Sequence, residues 1–427
     1  MESSESRDAD VIVVGAGPAG AATAHYLALH GLQVLLLEKA TFPRDKVCGD
    51  GLTPGAVREL ITMGVPMDPA DGWMRNKGLR VIGGGHEILL PWPEMESFPN
   101  YGMAKARTSL DETLARHAQR SGADLREGVT VTAPILDERS GRIVGVRARA
   151  TTDKSQEFTF RAPLVVDAGG VSARIATAMG LARMDNRPMG VAVRTYFRSP
   201  RHDDEWMESQ LELWDGPRER SNLLPGYGWI FALGDGTVNV GLGSVSSTAT
   251  ATKLDYKDLF RTWMRNAPES WEFTPENQVG PLRSAALPMA FNRQPMYTKG
   301  LLLVGDAGGM VSPFNGEGIA YSLMAGRVAA DAIAQALART SGYGLEKALR
   351  AYPEAMKAQL GGYYTLGRIF VKLIENPEIM RVCTKYGLPH PTLMKFVHKL
   401  LSDGYERRGG DVMDRVIAAC SRVVPVA

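Results

Sequence analysis

The chain has 427 residues, 44% hydrophobic and 22% charged, with 49 basic against 47 acidic side chains and a net charge of +2. Those proportions describe a globular chain of about two to three domains with a large core, and exclude a disordered or fibrous one. The near-zero balance offers no bulk field for nucleic acid; the scattered Cys48, Cys383 and Cys420 form no disulfide framework and no metal-binding spacing, which suits a reducing cytoplasm.

The opening MESSESRDAD is polar and acidic, without the basic-then-apolar order of a signal peptide, and a frayed tail is expected there. Val11 to Leu37 runs 27 residues without a formal charge, long enough to span a bilayer. Its glycines, Pro18 and two histidines break that run, and it reads better as strand (11–14), glycine turn, helix (about 18–30) and strand (32–38). Gly15, Gly17 and Gly20 stand in GxGxxG spacing around Pro18 and Ala19. The first glycine permits a tight turn, the second lets the backbone approach a pyrophosphate, and the third lets helix and strand pack closely. The helix start adds unpaired N–H groups and a positive dipole end. Glu38 ends the next strand, where a carboxylate accepts from ribose hydroxyls. FAD and NAD both fit at this point.

A second signal lies in LLLVGDAGGMVSPFNGEGIAYSLMAGRVAADAI, residues 301–333. An apolar strand reaches Gly305-Asp306, and a small-residue helix resumes at Gly318 and Ile319. Asp306 at a strand end suits a second sugar-like chain, and the helix start suits an electron-rich ring. A ligand reached by both signals is long and extended, which fits FAD and not the NAD of a simple dehydrogenase. Without a second GxGxxG, NADPH has no dedicated site; the donor that reduces FAD stays open between NADPH and a reduced electron carrier. No HxH, HExxH or GxSxG occurs, so neither metal chemistry nor a serine hydrolase is expected.

At these residues the chain resembles the flavoprotein group of p-hydroxybenzoate hydroxylase, the flavin-dependent halogenases and the geranylgeranyl reductases. The resemblance implies a Rossmann-like α/β FAD-binding domain. Ala106-Arg107-Thr108 looks like the family arginine that contacts the FAD phosphates, and LVVDAGGVSARI (164–175) is similar to the family strand and loop around Asp167, Gly170, Ser172 and Arg174. Val131 occupies the place where family members contact adenine through the backbone. KVCGDGLTPGAVREL (46–60) resembles the cysteine-bearing loop of geranylgeranyl reductases, which implies that Cys48, Gly49 and Asp50 lie near the flavin. LPGYGWIFALGDGTVNVGLG (224–243) looks like their PxxYxWxFP substrate motif, carried by Tyr227, Trp229 and Phe231, with Ala232 in place of the last proline. Halogenases carry two tryptophans in a WxWxIP motif; Tyr227 stands in the first position here. With LPWP at 90–93 and YGMAKARTSLD at 101–111, the chain looks most like bacterial menaquinone reductases. That implies saturation of one double bond in the isoprenoid tail of a quinone, with FAD supplying the hydride.

Individual residues keep two readings. Cys48 is a proton relay or flavin-orienting group, or a small packing residue. Tyr227 and Trp229 share one face of a strand and form a substrate wall, or simply core. Lys39 and Arg44 meet the FAD phosphates or face solvent; Lys39 is expected near the ribose and Arg44 in solvent. An isolated trialkyl alkene is unpolarised, so protonation toward a tertiary cation, sheltered by the ring faces of Tyr227 and Trp229, precedes hydride capture; Cys48, a flavin-bound proton and water are the candidate donors.

The expected architecture is an FAD-binding domain from 1–75, 105–185 and 295–345, an inserted antiparallel-sheet substrate domain from 76–104 and 186–294, and a helical C-terminal region, 346–427. Between Lys357 and Arg408 nine basic residues face four acidic ones, and Leu393, Phe396, Val397, Leu400 and Leu401 make a helical stripe with Lys395 and Lys399 off it. A basic amphipathic helix rests on anionic lipid, so a cytoplasmic protein peripheral at the inner face of the cell membrane is expected, with an ordinary packed helix as the alternative. The function classes are a prenyl-lipid reductase acting on menaquinone, a reductase of geranylgeranyl diphosphate or a geranylgeranyl lipid in which Arg194 and Arg198 meet the head group, an FAD-dependent aromatic monooxygenase, and a non-enzymatic lipid carrier.

Overall fold

The computed structural model describes residues 7–217, 219–245, 254–339 and 343–426; residues 1–6, most of the expected frayed tail, lie outside them. Its central sheet runs Tyr297–Thr298, Leu301–Leu303, Leu164–Asp167, Val11–Val14, Val34–Leu37, Asp124–Arg126 in spatial order. All pairs are parallel except the edge hairpin of the first two strands. The inner strands are unbroken apolar runs because both faces are covered. Val11, Val13, Val34 and Leu36 point toward helices Pro18–Leu29 and Ile319–Leu337, while Ile12, Leu35 and Leu37 point toward a three-stranded antiparallel sheet, Val129–Leu136, Ile143–Ala150 and Glu157–Arg161. The expected run of 11–37 therefore folds as strand, turn, helix and strand, and among the described residues no helix is long and apolar enough to cross a membrane.

Two glycines of the first turn are required by space. Gly15 adopts φ +100°, and a Cβ on it would stand 2.6 Å from the carbonyl oxygen of Ala168. A Cβ on Gly20 would stand 1.8 Å from the carbonyl oxygen of Gly15. Gly17 differs: nothing of the protein lies closer than 3.7 Å to its would-be Cβ, so its missing side chain leaves room for a ligand.

The second sheet has seven strands, in the order Gln278–Pro288, Met189–Arg198, Thr237–Val245, Gly226–Ala232, Trp206–Gln210, Gly78–Gly83, His86–Pro91. It is antiparallel as expected except where Trp206–Gln210 runs parallel to Gly78–Gly83. That hairpin comes from a chain segment more than a hundred residues earlier, so a long crossover rather than a turn joins it to the sheet, and a crossover permits parallel pairing.

The C-terminal part is helical as expected, and it closes over both layers. Tyr352, Met356, Leu360, Tyr363 and Tyr364 of helix Tyr343–Ile374 enter the main core. The amphipathic helix Pro391–Leu401 overturns one expectation. Phe396, Leu400 and Leu401 pack on the main core, Val397 packs on Val81 and Leu90 of the second sheet's edge, and Lys399 pairs with Asp411 and Asp414. Its apolar stripe is turned inward because this protein supplies the surface that covers it; only Leu393 of the five stays exposed.

Replacing Gly20 with alanine forces its methyl into the Gly15 carbonyl, so unfolding in urea is expected at a stability lower by about 1–3 kcal/mol or more. The same change at Gly31, which has open space around it but φ +78°, is expected to cost the left-handed backbone penalty alone, about 1–2 kcal/mol.

Candidate active site

Three helix starts converge on the glycine turn. The helices beginning after Gly17, Ala106 and Gly318 have no side-chain cap, whereas Thr53, Asp255 and Asp411 cap theirs. Gly305 brings two of them together: its would-be Cβ stands 2.8 Å from Ala19 Cβ and 2.9 Å from Ser322 Oγ. Asp306 is half-buried, 3.8 Å from Lys46 Nζ, and its Oδ1 lies 3.5 Å from where a Cβ of Gly318 would be. Pro18 and Ala19 form the first turn of their helix, and Ile319, first residue of its own, is buried.

Glu38 clamps the glycine turn from below. Ala16 N–H donates to its Oε2 at 2.9 Å and Ala40 N–H to its Oε1 at 3.0 Å. Arg44, expected in solvent, is turned inward: Nη2 lies 3.3 Å from Glu38 Oε2 and Nη1 lies 2.8 Å from Asp111 Oδ2. The two buried carboxylates need a countercharge, and Arg44 provides it beside Gly17. Arg107 grips Asp111 in a bidentate pair of 2.6 and 2.9 Å. Burial opposes the Arg107 charge, but Asp111 and then the Cys48 sulfur more than offset it and push its pKa up. Lys39 is exposed, and its carbonyl accepts from Thr151 Oγ1; its ammonium takes no part in this network. Val131 is buried in the three-stranded sheet opposite Ala148, beside an irregularity of the ladder.

The Cys48 loop closes against the second sheet. Asp50 is fully buried at φ +64° and accepts three hydrogen bonds: from Tyr196 Oη at 2.7 Å, Asn239 Nδ2 at 2.8 Å and the Arg107 backbone at 3.2 Å. Burial pushes its pKa up to about 6 against those donors. Asn239 also donates to the Cys48 carbonyl and accepts from Trp229 Nε1, both at 2.8 Å. Gly49 admits the rings directly, since its would-be Cβ lies 3.0 Å from Phe231 and 3.3 Å from Trp229. Tyr227, Trp229 and Phe231 therefore do share one face over the loop; Trp229 and Phe231 are sealed, and Tyr227 is half-buried with its hydroxyl on the Asn315 carbonyl at 2.6 Å. Cys48 is half-buried between Arg107 and Tyr227.

Sequence reasoning gave no role to two groups here, Arg44 and Glu317. The signal for Arg44 was its place in the loop after Glu38, but the second carboxylate, Asp111, lies far along the chain. Glu317 stands between two glycines, where local rules suggest exposure, yet its Oε1 accepts from Thr53 Oγ1 at 2.6 Å.

The model of the FAD binding domain family matches residues 8–358. A menaquinone reductase of Mycobacterium tuberculosis is 36% identical over 92% of this chain and 91% of its own length. A digeranylgeranylglycerophospholipid reductase of Methanocella arvoryzae is 28% identical over 92% and 95%. The chain belongs to the FAD-binding flavoproteins, in the geranylgeranyl and menaquinone reductase group. Among solved structures, a geranylgeranyl bacteriochlorophyll reductase-like protein of Thermoplasma acidophilum superposes with a TM-score of 0.71 at 22% identity, covering 92% of this chain and 99% of that one. A flavin-dependent brominase reaches 0.72 at 23%, covering 97% and 99%; both likenesses speak to the fold alone.

This flavoprotein is an FAD-dependent oxidoreductase, and its residues fit the cofactor. Gly17 leaves space, Arg44 Nε is buried beside it without a partner among the described residues, and three helix starts await an electron-rich group. Gly15 to Gly20, Glu38, Arg44, Arg107, Asp306 and the start of Ile319–Leu337 would hold FAD, which supplies hydride chemistry when bound. Arg44→Ala is expected to raise the Kd for FAD at least about tenfold, the loss of a charged hydrogen bond, while Lys39→Ala leaves it within about twofold. Fluorescence titration of FAD distinguishes them, and equal effects would contradict the inward placement of Arg44.

Proposed function

We propose that this flavoprotein saturates a C=C bond in the isoprenoid tail of a prenyl lipid, and that the lipid is menaquinone. The observation that carries the reading is the aromatic face of Tyr227, Trp229 and Phe231 lying directly against the Cys48 loop. The polar edges of the first two rings are already satisfied, by Asn315 and Asn239; Trp229 and Phe231 back the wall, and the half-buried Tyr227 offers a ligand apolar ring surface. Such a face suits an uncharged hydrocarbon chain and shelters positive charge developing on an alkene carbon. The near full-length likeness to a menaquinone reductase favours the quinone over other prenyl lipids.

A diphosphate head group fits less well. Arg194 is buried, its guanidinium bonded to Asp45 and to the Lys46 carbonyl and stacked 4.4 Å over the Tyr196 ring, so it is not a free cation. Arg198 is exposed at the far end of the same strand. Lipid quinones extracted from cells with and without the protein are expected to differ by about two mass units in the menaquinone tail. An unchanged pool overturns the menaquinone reading, and substrate-coupled oxygen uptake by the purified protein replaces it with a monooxygenase.

Attachment to the inner membrane face is part of this proposal, through a surface that shares only the exposed Leu393 with the inward-turned stripe. Ile369, Leu373, Val382, Tyr386 and Leu393 are 46–60% exposed, and exposed Lys372, Lys385 and Lys395 are interleaved with them. Each basic residue near an anionic bilayer contributes about 1 kcal/mol. The protein is expected to sediment with anionic liposomes at low salt, and Val382→Glu with Tyr386→Glu to weaken that binding about tenfold or more. Full-length protein that stays in the supernatant contradicts the attachment.

A further inference from the structure

The turn from Ser312 to Gly318 is the piece of the site with the most converging constraints. Ser312 N–H donates to the Glu317 carbonyl at 2.8 Å, and Glu317 N–H to Asn315 Oδ1 at 2.9 Å. Tyr227 docks on the same turn through the Asn315 carbonyl, and Gly318 then starts the helix beside Asp306. The Glu317 carboxyl is half-buried within this junction; Thr53 donates to its Oε1 at 2.6 Å, and the Asn315 side chain acts on it as well.

The other carboxylic acids of the site are engaged. Both oxygens of Asp50 accept hydrogen bonds from the protein, and Asp306 faces Lys46. The Tyr227 hydroxyl donates to a carbonyl, and burial pushes its pKa up, which makes it a poor acid. We propose that Glu317 is the carboxylic acid that protonates the alkene, an assignment that rests on the prenyl-reductase reading. The chemistry balances. The alkene π pair takes the Glu317 proton at the less substituted carbon, hydride from the two-electron-reduced cofactor closes the more substituted carbon, and Glu317 is left as carboxylate, to be reprotonated from water.

The surroundings suit that role. Burial first, and the negative charge of Asp403 next, push the Glu317 pKa up to about 7, against hydrogen bonds from Thr53 and Asn315. Tyr227 faces it from the sheet and Tyr321 and Tyr364 from the two long helices; Arg407 sits on Asp403 in a bidentate pair of 3.0 Å, and Arg58 acts on Asp403 as well. An acid near neutrality both holds its proton and releases it.

The test uses FAD-loaded protein reduced anaerobically with dithionite, mixed with menaquinone in detergent micelles, quenched and read by the mass of the tail. Flavin reoxidation is not the readout, because the quinone ring itself accepts electrons. Wild-type turnover is expected to fall on the alkaline side of about pH 7. Glu317→Gln keeps an acceptor for Thr53 and is expected to bind FAD normally, to lose about a hundredfold or more in rate, and to lose that alkaline limb; Glu317→Asp restores part of both. Infrared titration without substrate reads the same group: a protonated-carboxyl band disappearing near pH 7 in wild type, missing in Glu317→Gln, and shifted to lower pH in Asp403→Asn. A Glu317→Gln protein that matches wild type in rate and pH profile, or a wild type without that band, overturns the assignment. A wild type that leaves every prenyl quinone tail unreduced while the band titrates overturns the functional reading instead.

Discussion

One buried carboxylate ties the cofactor side of the molecule to the second sheet. Asp50 takes a donor from helix Arg107–Arg120, one from the Met189–Arg198 strand and one from the Thr237–Val245 strand. A fully buried carboxylate survives only when its lone pairs are satisfied, and each unmet partner costs about 1–3 kcal/mol. All three elements must therefore be in place together, and the Cys48 loop between them has little freedom. Its left-handed backbone at Asp50 is tolerated because the surroundings determine it from three sides. The position of Cys48 and the closeness of Gly49 to Trp229 and Phe231 follow from that anchoring.

Around this hub the charges are sorted by task. Beside Gly17, Arg44 and Arg107 interleave with Glu38 and Asp111 as a nearly neutral lattice that keeps the glycine turn open and leaves the Arg44 Nε donor without a partner among the described residues. On the sheet side, Arg194 and Asp45 neutralise each other under the Cys48 loop. The polar groups that meet the aromatic strand, Asn239 and the Asn315 carbonyl, are taken up by the ring edges, which leaves the Tyr227 ring beside Cys48 and Glu317. A site built so is suited to a hydrocarbon that must be handled by a proton and a hydride rather than by recognition of polar groups.

The C-terminal helices act on the site from behind. Helix Tyr343–Ile374 and the loop after helix Pro391–Leu401 bring the Tyr363 ring against Phe314 of the turn that carries Glu317, and set Tyr364 and Asp403 close enough to act on that carboxyl. The loop's negative charge raises a carboxyl pKa more than eighty residues earlier in the chain. The same helices turn their apolar stripes toward the core, and the segment between them leaves Val382 and Tyr386 on the surface.

The glycine turn, Glu38, the Gly305-Asp306 strand end and the helix start at Gly318 were legible in the sequence because their signals are local. A backbone that must adopt φ +100° or admit a carbonyl at 1.8 Å leaves glycine as the residue that fits, and the spacing records it. The alternation of Tyr227, Trp229 and Phe231 was legible for the same reason, since a strand alternates its faces by geometry alone. Tertiary structure decided everything that depends on a partner far along the chain. Arg44 is inside because Asp111 is there to meet it; Arg194 is unavailable because Asp45 holds it. The helix stripe at 393–401 reads the same whether lipid or protein covers it, and the Glu317 carboxyl is pushed toward neutrality only when the fold buries it and Asp403 arrives from far along the chain, against the hydrogen bond from Thr53. Local spacing sets what a segment can form; burial and countercharge, which set what its side chains do, are properties of the assembled fold.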